Sequence, residues 1–408
     1  MTEVLLSDIC ELIVDCPHST AVDEGNGYPL VRTPNIGKGR LIYQGMHRVS
    51  EDVYLQRNKR ATPQEDDLIF AREATAGNVA LIQQGEKVCL GQRTVLIRPN
   101  KALVNPAFLT YFLLAPKQQY NLLSTANGAT VAHVNLPTIR NLKLELPDLD
   151  VQRRIAEVLS RYDALIENYQ RQIKLLEEAA QRLYKEWFVD LHFPGHETTK
   201  IVDGVPDGWE KKKLIEFGCT LESGSRPKGG VDSNLKDGIP SVGAENVIGL
   251  GKYNYSSEKL ITNQFYSQMR KGKIKNRDIL IYKDGAYIGR TSLFQDGFPH
   301  KEMAVNEHVF LLHTLNENYQ YYVFFTLYQK QYFEKMQKLN KNAAQPGLNQ
   351  KALLDLGMLC PSEEFVMTFR KAIEPLMKAL FNKANQIRLL TEARDRLLPK
   401  LMSGELKV

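Results

Sequence analysis

The sequence lacks the marks of membrane, secreted and disulfide-bonded proteins. No run approaches the roughly 18 uninterrupted apolar residues that a transmembrane helix needs, and residues 1–5 contain no basic stretch before an apolar core, as a secretory signal would. The five cysteines are odd in number and include no CxxC pair, which argues against a disulfide scaffold or a zinc ribbon. We therefore expect free thiols, no membrane contact and a cytoplasmic location.

The motifs of common enzyme sites are also missing. The chain has no GxxxxGK[ST], no glycine-rich motif opening a βα unit, no GxSxG and no HExxH, so nucleotide, S-adenosylmethionine, hydrolase and zinc-protease sites are not indicated. Asn105-Pro106-Ala107-Phe108 is one residue away from an amino-methyltransferase motif, but it also fits a helix start with proline in the first turn. His192 and His196 lie in a Pro/Gly-rich stretch without a third ligand nearby. We expect no catalytic residues, no cofactor and no metal site.

What is present is an ordinary globular composition with a mild positive charge. The 408 residues are 43% hydrophobic and 25% charged, with a net charge of +6, which suits two or three folded domains. The excess of Lys and Arg over Asp and Glu is +1 in residues 1–146, −3 in 147–199, +5 in 200–360 and +3 in 361–408. Such a balance permits nucleic-acid binding and fits a mildly basic protein without that role equally well.

An internal repeat divides the chain into two halves. Similar residues recur in order at offsets of 211 to 214, a drift that small loop insertions would produce. The matched landmarks are Asp67 and Asp278, Gly77 and Gly289, Gln119 and Gln331, Ala129 and Ala343, Asn135 and Asn349, and Pro147 and Pro361.

A heptad pattern follows each of the two prolines. Apolar residues alternate there in steps of four and three, which is typical of a helix packed along its length against another helix. We predict two long helices paired antiparallel, with Lys383 and Arg394 as polar positions able to fix the register; the alternative is that each helix packs only on its own domain. The seam residues are Ile155, Leu159, Tyr162, Ile166, Tyr169, Ile173, Leu176, Ala180, Leu183 and Trp187 in the first helix, and Phe369, Ile373, Leu376, Leu380, Ile387, Leu390, Leu397 and Leu401 in the second.

The predicted fold class is α+β. Short strands bounded by Gly, Pro and Asn lie at 79–82, 94–97, 278–281 and 308–312, and aromatic-rich helices at 106–120 and 319–336 follow them. We predict two pseudo-repeated α+β domains, residues 1–146 and 200–360, separated by the helix regions 147–199 and 361–408, which form an antiparallel coiled coil.

Loops that flank the strands carry the side chains suited to DNA. Arg, Lys and Asn contact phosphates or hydrogen-bond base edges in the major groove, although ordinary solvated turns would have the same composition. Loops in corresponding places of the two domains carry different side chains, which favours recognition of a different target by each domain. The candidate DNA-binding residues are Arg32, Lys38, Arg40, Arg72, Thr75, Asn78, Arg93, Arg226, Lys228, Lys283, Tyr287 and Arg290.

These features together resemble a type I restriction–modification specificity subunit. That family shows Pro-Leu-x-Glu-Gln-x-x-Ile before its long helix, where this chain has Pro147, Val151 in place of Glu, Gln152 and Ile155. Residues 205–210 resemble the opening of a target recognition domain, and residues 397–406 resemble the family's end. The second copy, residues 361–369, lacks the Gln-Arg pair, so its match depends on position and heptad phase.

The resemblance implies a non-catalytic subunit that reads DNA. Each domain would contact one half of a bipartite duplex target, and the coiled coil would set the spacer. Two methyltransferase subunits and restriction motor-nuclease subunits would be its partners, and S-adenosylmethionine, ATP and Mg would be bound only by them. A tandem-domain coiled-coil scaffold for protein partners, without DNA binding, is the alternative.

Overall fold

The computed structural model describes residues 2–124, 133–339 and 347–408. The landmark pair Ala129 and Ala343 therefore lies outside the described residues. Contacts divide the chain into unit 1, Met1–Leu165 with Leu390–Val408, and unit 2, Ile166–Leu389. Among the described residues, no helix is both long and apolar enough to cross a membrane.

Unit 1 contains a four-stranded antiparallel sheet, a three-stranded sheet and a separate strand pair. Its strands are β1 (Thr2–Leu5), β2 (Cys10–Asp15), β3 (Tyr28–Val31), β4 (His47–Val49), β5 (Leu68–Ala71), β6 (Val79–Leu81), β7 (Cys89–Leu90), β8 (Thr94–Pro99) and β9 (Lys143–Leu146). Its helices are α1 (Glu51–Arg57), α2 (Pro106–Leu114), α3 (Pro116–Leu123), α4 (Leu136–Arg140) and the first part of α5 (Leu149–Phe188). The strand orders are β2-β8-β5-β6, β4-β3-β7 and β1-β9.

Unit 2 repeats this plan. Its strands are β10 (Ile201–Val202), β11 (Val205–Pro206), β12 (Glu210–Lys213), β13 (Cys219–Ser223), β14 (Ile239–Val242), β15 (Leu260–Ile261), β16 (Ile279–Tyr282), β17 (Thr291–Leu293), β18 (Ala304–Val305), β19 (Val309–Thr314) and β20 (Gly357–Cys360). Its helices are α6 (Asn263–Gln268), α7 (Tyr319–Tyr328), α8 (Lys330–Lys338), α9 (Gln350–Leu354) and most of α10 (Glu363–Ser403). Short 3-10 turns in the two units are Leu6–Ile9, Thr33–Asn35, His196–Thr198, Leu214–Phe217, Ala244–Asn246 and Tyr255–Ser257.

Strand pairing confirms the repeat that the landmarks predicted. The unit 2 sheets have the orders β13-β19-β16-β17, β15-β14-β18 and β12-β20, which match the three sheets of unit 1 strand for strand. In each unit the three-stranded sheet contains one parallel pair, β3 with β7 and β14 with β18. The hairpin β10-β11 precedes the repeated part of unit 2.

The two long helices run antiparallel. In unit 2, Tyr169 lies opposite Lys383 and Trp187 opposite Phe369, so residue numbers rise along α5 as they fall along α10. Every predicted seam position in both helices is buried or half-buried. The start of α5 and the end of α10 contribute Ile155, Leu159 and Leu401 to the unit 1 core. The boundary between the contact-defined units therefore falls inside both helices.

Hydrogen bonds explain the proline before α5 and the glutamine in its first turn. Gln152 is buried; its Oε1 accepts from the backbone N of Asn105 at 2.9 Å, and its Nε2 donates to the carbonyl of Pro147 at 2.9 Å. Asn105 in turn caps α2 by accepting from the N of Phe108, so the Asn-Pro-Ala-Phe segment is a helix start, as predicted. In unit 2 the Tyr319 hydroxyl donates to the carbonyl of Pro361 at 3.0 Å. The second copy therefore joins its domain to its helix without a glutamine.

Candidate nucleic-acid interface

Arg72, the first residue after β5, is turned into unit 1. It is only 9% exposed, and its Nε donates to the carbonyl of Val134 at 2.9 Å while Nη1 pairs with Asp15 at 2.7 Å. These donors join β2 and the segment after residue 132 to β5. The contact of Arg72 with DNA stays a prediction.

Two other candidates of this loop also serve the fold. Thr75 is exposed, but its hydroxyl donates to the carbonyl of Thr33 at 2.9 Å. The half-buried Asn78 donates through Nδ2 to the carbonyl of Ile36 at 2.9 Å. These side chains hold the loop after β5 against the loop after β3. The sequence identified these polar side chains as candidates but not the backbone carbonyls to which they donate.

The loop after β3 lies partly against α5. Arg32 donates through Nη2 to the carbonyl of Gly45 at 3.2 Å, Lys38 is exposed and Arg40 is half-buried. At Gly39, whose φ is +96°, an added Cβ would lie 3.7 Å from the Asp163 carboxylate of α5. The tip of the loop therefore approaches the helix, and of the three cations only Lys38 has an exposed side chain.

Arg93 lies at the surface, at the other end of a series of polar contacts that begins at Arg72. It immediately precedes β8, its side chain is 62% exposed, and its Nε is 2.9 Å from Oε2 of Glu73. The other carboxylate oxygen of Glu73 is 2.6 Å from Nδ1 of His133, whose Nε2 is 2.9 Å from Nη2 of Arg72. A continuous chain of polar contacts thus connects the buried Arg72 with the exposed Arg93.

Unit 2 holds a comparable cluster made from other residues. Arg226 donates through Nε to Glu307 at 2.5 Å and its Nη2 is 2.6 Å from Nε2 of His308. His308 Nδ1 is 3.2 Å from Asp284. Lys283, which follows β16 as Arg72 follows β5, donates to the carbonyl of Glu307 at 3.2 Å. The adjacent Glu307 carboxylate and the Arg226 guanidinium hold each other charged, and the pKa of Arg226 is raised, chiefly by its hydrogen bond to Glu307.

Two of the remaining unit 2 candidates, Tyr287 and Lys228, are more accessible. The Arg290 guanidinium lies 3.9 Å from the centre of the Tyr287 ring, and Tyr287 is 51% exposed. Such a stacked pair presents both a flat aromatic surface and a planar set of donors. Lys228 is exposed in the turn after β13. Tyr287 and Lys228 are available for an external ligand, whereas Arg290 and Lys283 are half-buried.

Sequence reasoning missed the groups that hold the cations. These are Asp15, Glu73 and His133 in unit 1, and Asp284, Glu307 and His308 in unit 2. One signal was available, since the cation after the strand is followed by a carboxylate in both halves, Arg72-Glu73 and Lys283-Asp284, at the same offset of 211. Across residues 2–124, 133–339 and 347–408, no group of three or more His, Cys, Asp or Glu could hold a metal ion.

Comparison with known proteins shows which family this chain is similar to. Residues 1–178 match the model of the type I restriction modification DNA specificity domain. Over 99% of its length the chain is 27% identical to the MjaIX specificity subunit of Methanocaldococcus jannaschii, covering 93% of that protein. Residues 1–178 thus match a type I restriction modification DNA specificity domain, and nearly the whole chain is similar to type I restriction enzyme specificity subunits.

Other relatives show the same similarity. The HindI specificity subunit of Haemophilus influenzae is 21% identical over 76% of this chain and 80% of its own length. The solved structure of a type I system S subunit from M. genitalium superposes with a TM-score of 0.58 at 17% identity, covering 98% of this chain and 95% of that one, which supports the fold. The prediction of a non-catalytic specificity subunit agrees with the names of these relatives.

Proposed function

We propose that this specificity subunit recognises a bipartite duplex DNA target, with unit 1 reading one half and unit 2 the other. The observation that carries the proposal is the repeat of one strand order in both units, with clusters of cations at the same strand ends built from different side chains. One fold carrying two different polar surfaces suits the reading of two different short sequences, because base identity is read by the donors and acceptors presented to the groove.

The partners and cofactors in the proposal follow the family. Two methyltransferase subunits and the restriction motor-nuclease subunits would assemble on this chain, and S-adenosylmethionine, ATP and Mg would be bound by those subunits. The antiparallel pair of α5 and α10 would set the spacer between the half-sites.

Selection from a pool of random duplexes tests the proposal. The chain, purified with its methyltransferase partner, is expected to enrich two short sequences separated by a fixed spacer, with affinity that falls steeply as salt rises. No enrichment at any salt concentration would refute DNA recognition and favour the protein-interaction scaffold.

A paired deletion tests the role of the helices in the same assay. Removing residues 165–171 of α5 and 382–388 of α10 takes one heptad from each helix, about 10 Å at 1.5 Å per residue. Since base pairs are spaced about 3.4 Å apart, the preferred spacer should shorten by about three base pairs while both half-sites stay the same. An unchanged spacer would contradict the ruler role, and deletion from one helix alone, which breaks the pairing, is the control.

A further inference from the structure

Arg93 combines exposure with an unusual degree of restraint. Its φ is +65°, in the left-handed region of backbone conformation that residues other than glycine rarely adopt. Its carbonyl accepts a hydrogen bond from the backbone N of Arg72 at 2.9 Å, so the main chain is fixed as well. Within the described residues, the structure gives the guanidinium one polar contact, its ion pair with Glu73.

The polar contacts behind Arg93 have a defined direction. A guanidinium can only donate, so Nε2 of His133 must accept from Arg72, and the ring proton must lie on Nδ1. That proton is donated to Oε1 of Glu73, which leaves Oε2 for Arg93. At the far end Asp15 anchors Arg72. His133 thus orients the Glu73 carboxylate through Oε1. The other oxygen, Oε2, orients the Arg93 guanidinium.

We infer that Arg93 reads a guanine in the half-site bound by unit 1, an inference that rests on the proposed function. Because Nε is used by Glu73, the two terminal nitrogens remain as a pair of donors with fixed spacing. Guanine offers two matching acceptors, O6 and N7, on its major-groove edge, and bidentate contact from arginine is the common way to recognise it. Pre-orientation by Glu73 lowers the entropy lost when the contact forms.

The neighbouring carboxylate argues against a phosphate contact. Phosphate binding gains from net positive charge, which Glu73 cancels at 2.9 Å, whereas base reading gains from orientation. Counting from β8 and β19, the residue that corresponds to Arg93 in unit 2 is His308, whose ring nitrogens both have partners. Unit 2 therefore lacks this guanine-reading group at that position.

Two substitutions and a matched control test the inference. Arg93→Ala removes the donors and Arg93→Lys keeps the charge without the bidentate geometry. Lys101→Ala is the control, because Lys101 is also 62% exposed and ion-paired, with Asp66 at 2.6 Å, but follows the opposite end of β8. Binding is measured by fluorescence anisotropy for the complex with its methyltransferase partner, on the selected target and on duplexes substituted at each position.

Arg93→Ala should lower affinity for the target by about 10- to 100-fold and abolish discrimination at one G·C pair of one half-site. Arg93→Lys should lose the same discrimination, and Lys101→Ala should bind like the wild type. Unchanged selection in the second half-site shows that the variant is folded. A uniform loss on all duplexes, with the salt slope reduced by about one, would identify a phosphate contact and overturn the inference, as would no loss at all. Absence of selection by the wild type would instead refute the proposed function.

Discussion

Replacing Arg394 should weaken unit 1 far more than replacing an exposed arginine of the same helix pair. Arg394 donates through Nη1 to Asp163 at 2.7 Å, and the Tyr111 hydroxyl donates to the other Asp163 oxygen at 2.5 Å. The Asp163 side chain is 6% exposed and that of Arg394 17%. Burial, and then the adjacent carboxylate, raise the pKa of Tyr111, so its hydroxyl stays protonated as a donor.

The size of the effect follows from what is left behind. Arg394→Met removes one partner and leaves a buried carboxylate with a single donor, a change that costs about 3–5 kcal/mol in comparable buried pairs. We expect the lower end, about 3 kcal/mol, because Arg394 keeps some contact with solvent and also pairs with Asp395. The equilibrium for opening this contact should then rise roughly 150-fold.

Hydrogen exchange read by mass spectrometry measures this opening locally. Amides of residues 149–165 and 390–403 should exchange faster in Arg394→Met. The control is Arg161→Met, which breaks an exposed pair with Glu157 on α5 and should cost less than about 0.5 kcal/mol. Adding Asp163→Asn to Arg394→Met should recover part of the loss, since the uncompensated charge is then absent. Equal effects of Arg394→Met and Arg161→Met would refute the reasoning.

Two further predictions concern single buried groups. Gln152→Leu should lower the stability of unit 1 by about 1–3 kcal/mol, because the N–H of Asn105 loses its acceptor; thermal unfolding measures it, and Gln170→Leu at an exposed site of the same helix should have little effect. Burial raises the pKa of the Cys10 and Cys219 thiols from 9.0 to about 12. At pH 8 their thiolate fraction should therefore be about 1,000-fold below that of a thiol whose pKa is 9.0. A maleimide should label them slowly in the native protein and quickly in urea, and fast native labelling would contradict this.

The repeat and the helix pair could be predicted because burial imposes periodicity on a sequence. A helix that hides one stripe along its length must place apolar residues in steps of three and four, and both copies do so in the same phase. The buried carboxylate beside that stripe could not be predicted. Asp163 follows the seam residue Tyr162, and its partner Arg394 lies 231 residues away. Only the folded chain shows that the polar seam residue has a buried counterion.

The candidate site was less predictable for a related reason. A polar side chain on a loop can face solvent or satisfy the backbone of a neighbouring loop, and the sequence is the same in both cases. Thr75 and Asn78 do the second, and Arg72 is buried in an ion pair. Arg93 differs because its partner Glu73 contacts only Nε of its guanidinium and leaves the two terminal nitrogens.

The pairing of cations with carboxylates bears on how such a subunit can be selective. Residues 1–146 have an excess of only one positive charge, and Arg93 and Arg226 both lie beside a carboxylate. Weak net charge limits attraction to any DNA backbone, whereas a carboxylate partner costs little in a contact that depends on donor geometry. We therefore expect specificity to come from a few oriented side chains, and much of the duplex charge to be met by the partner subunits.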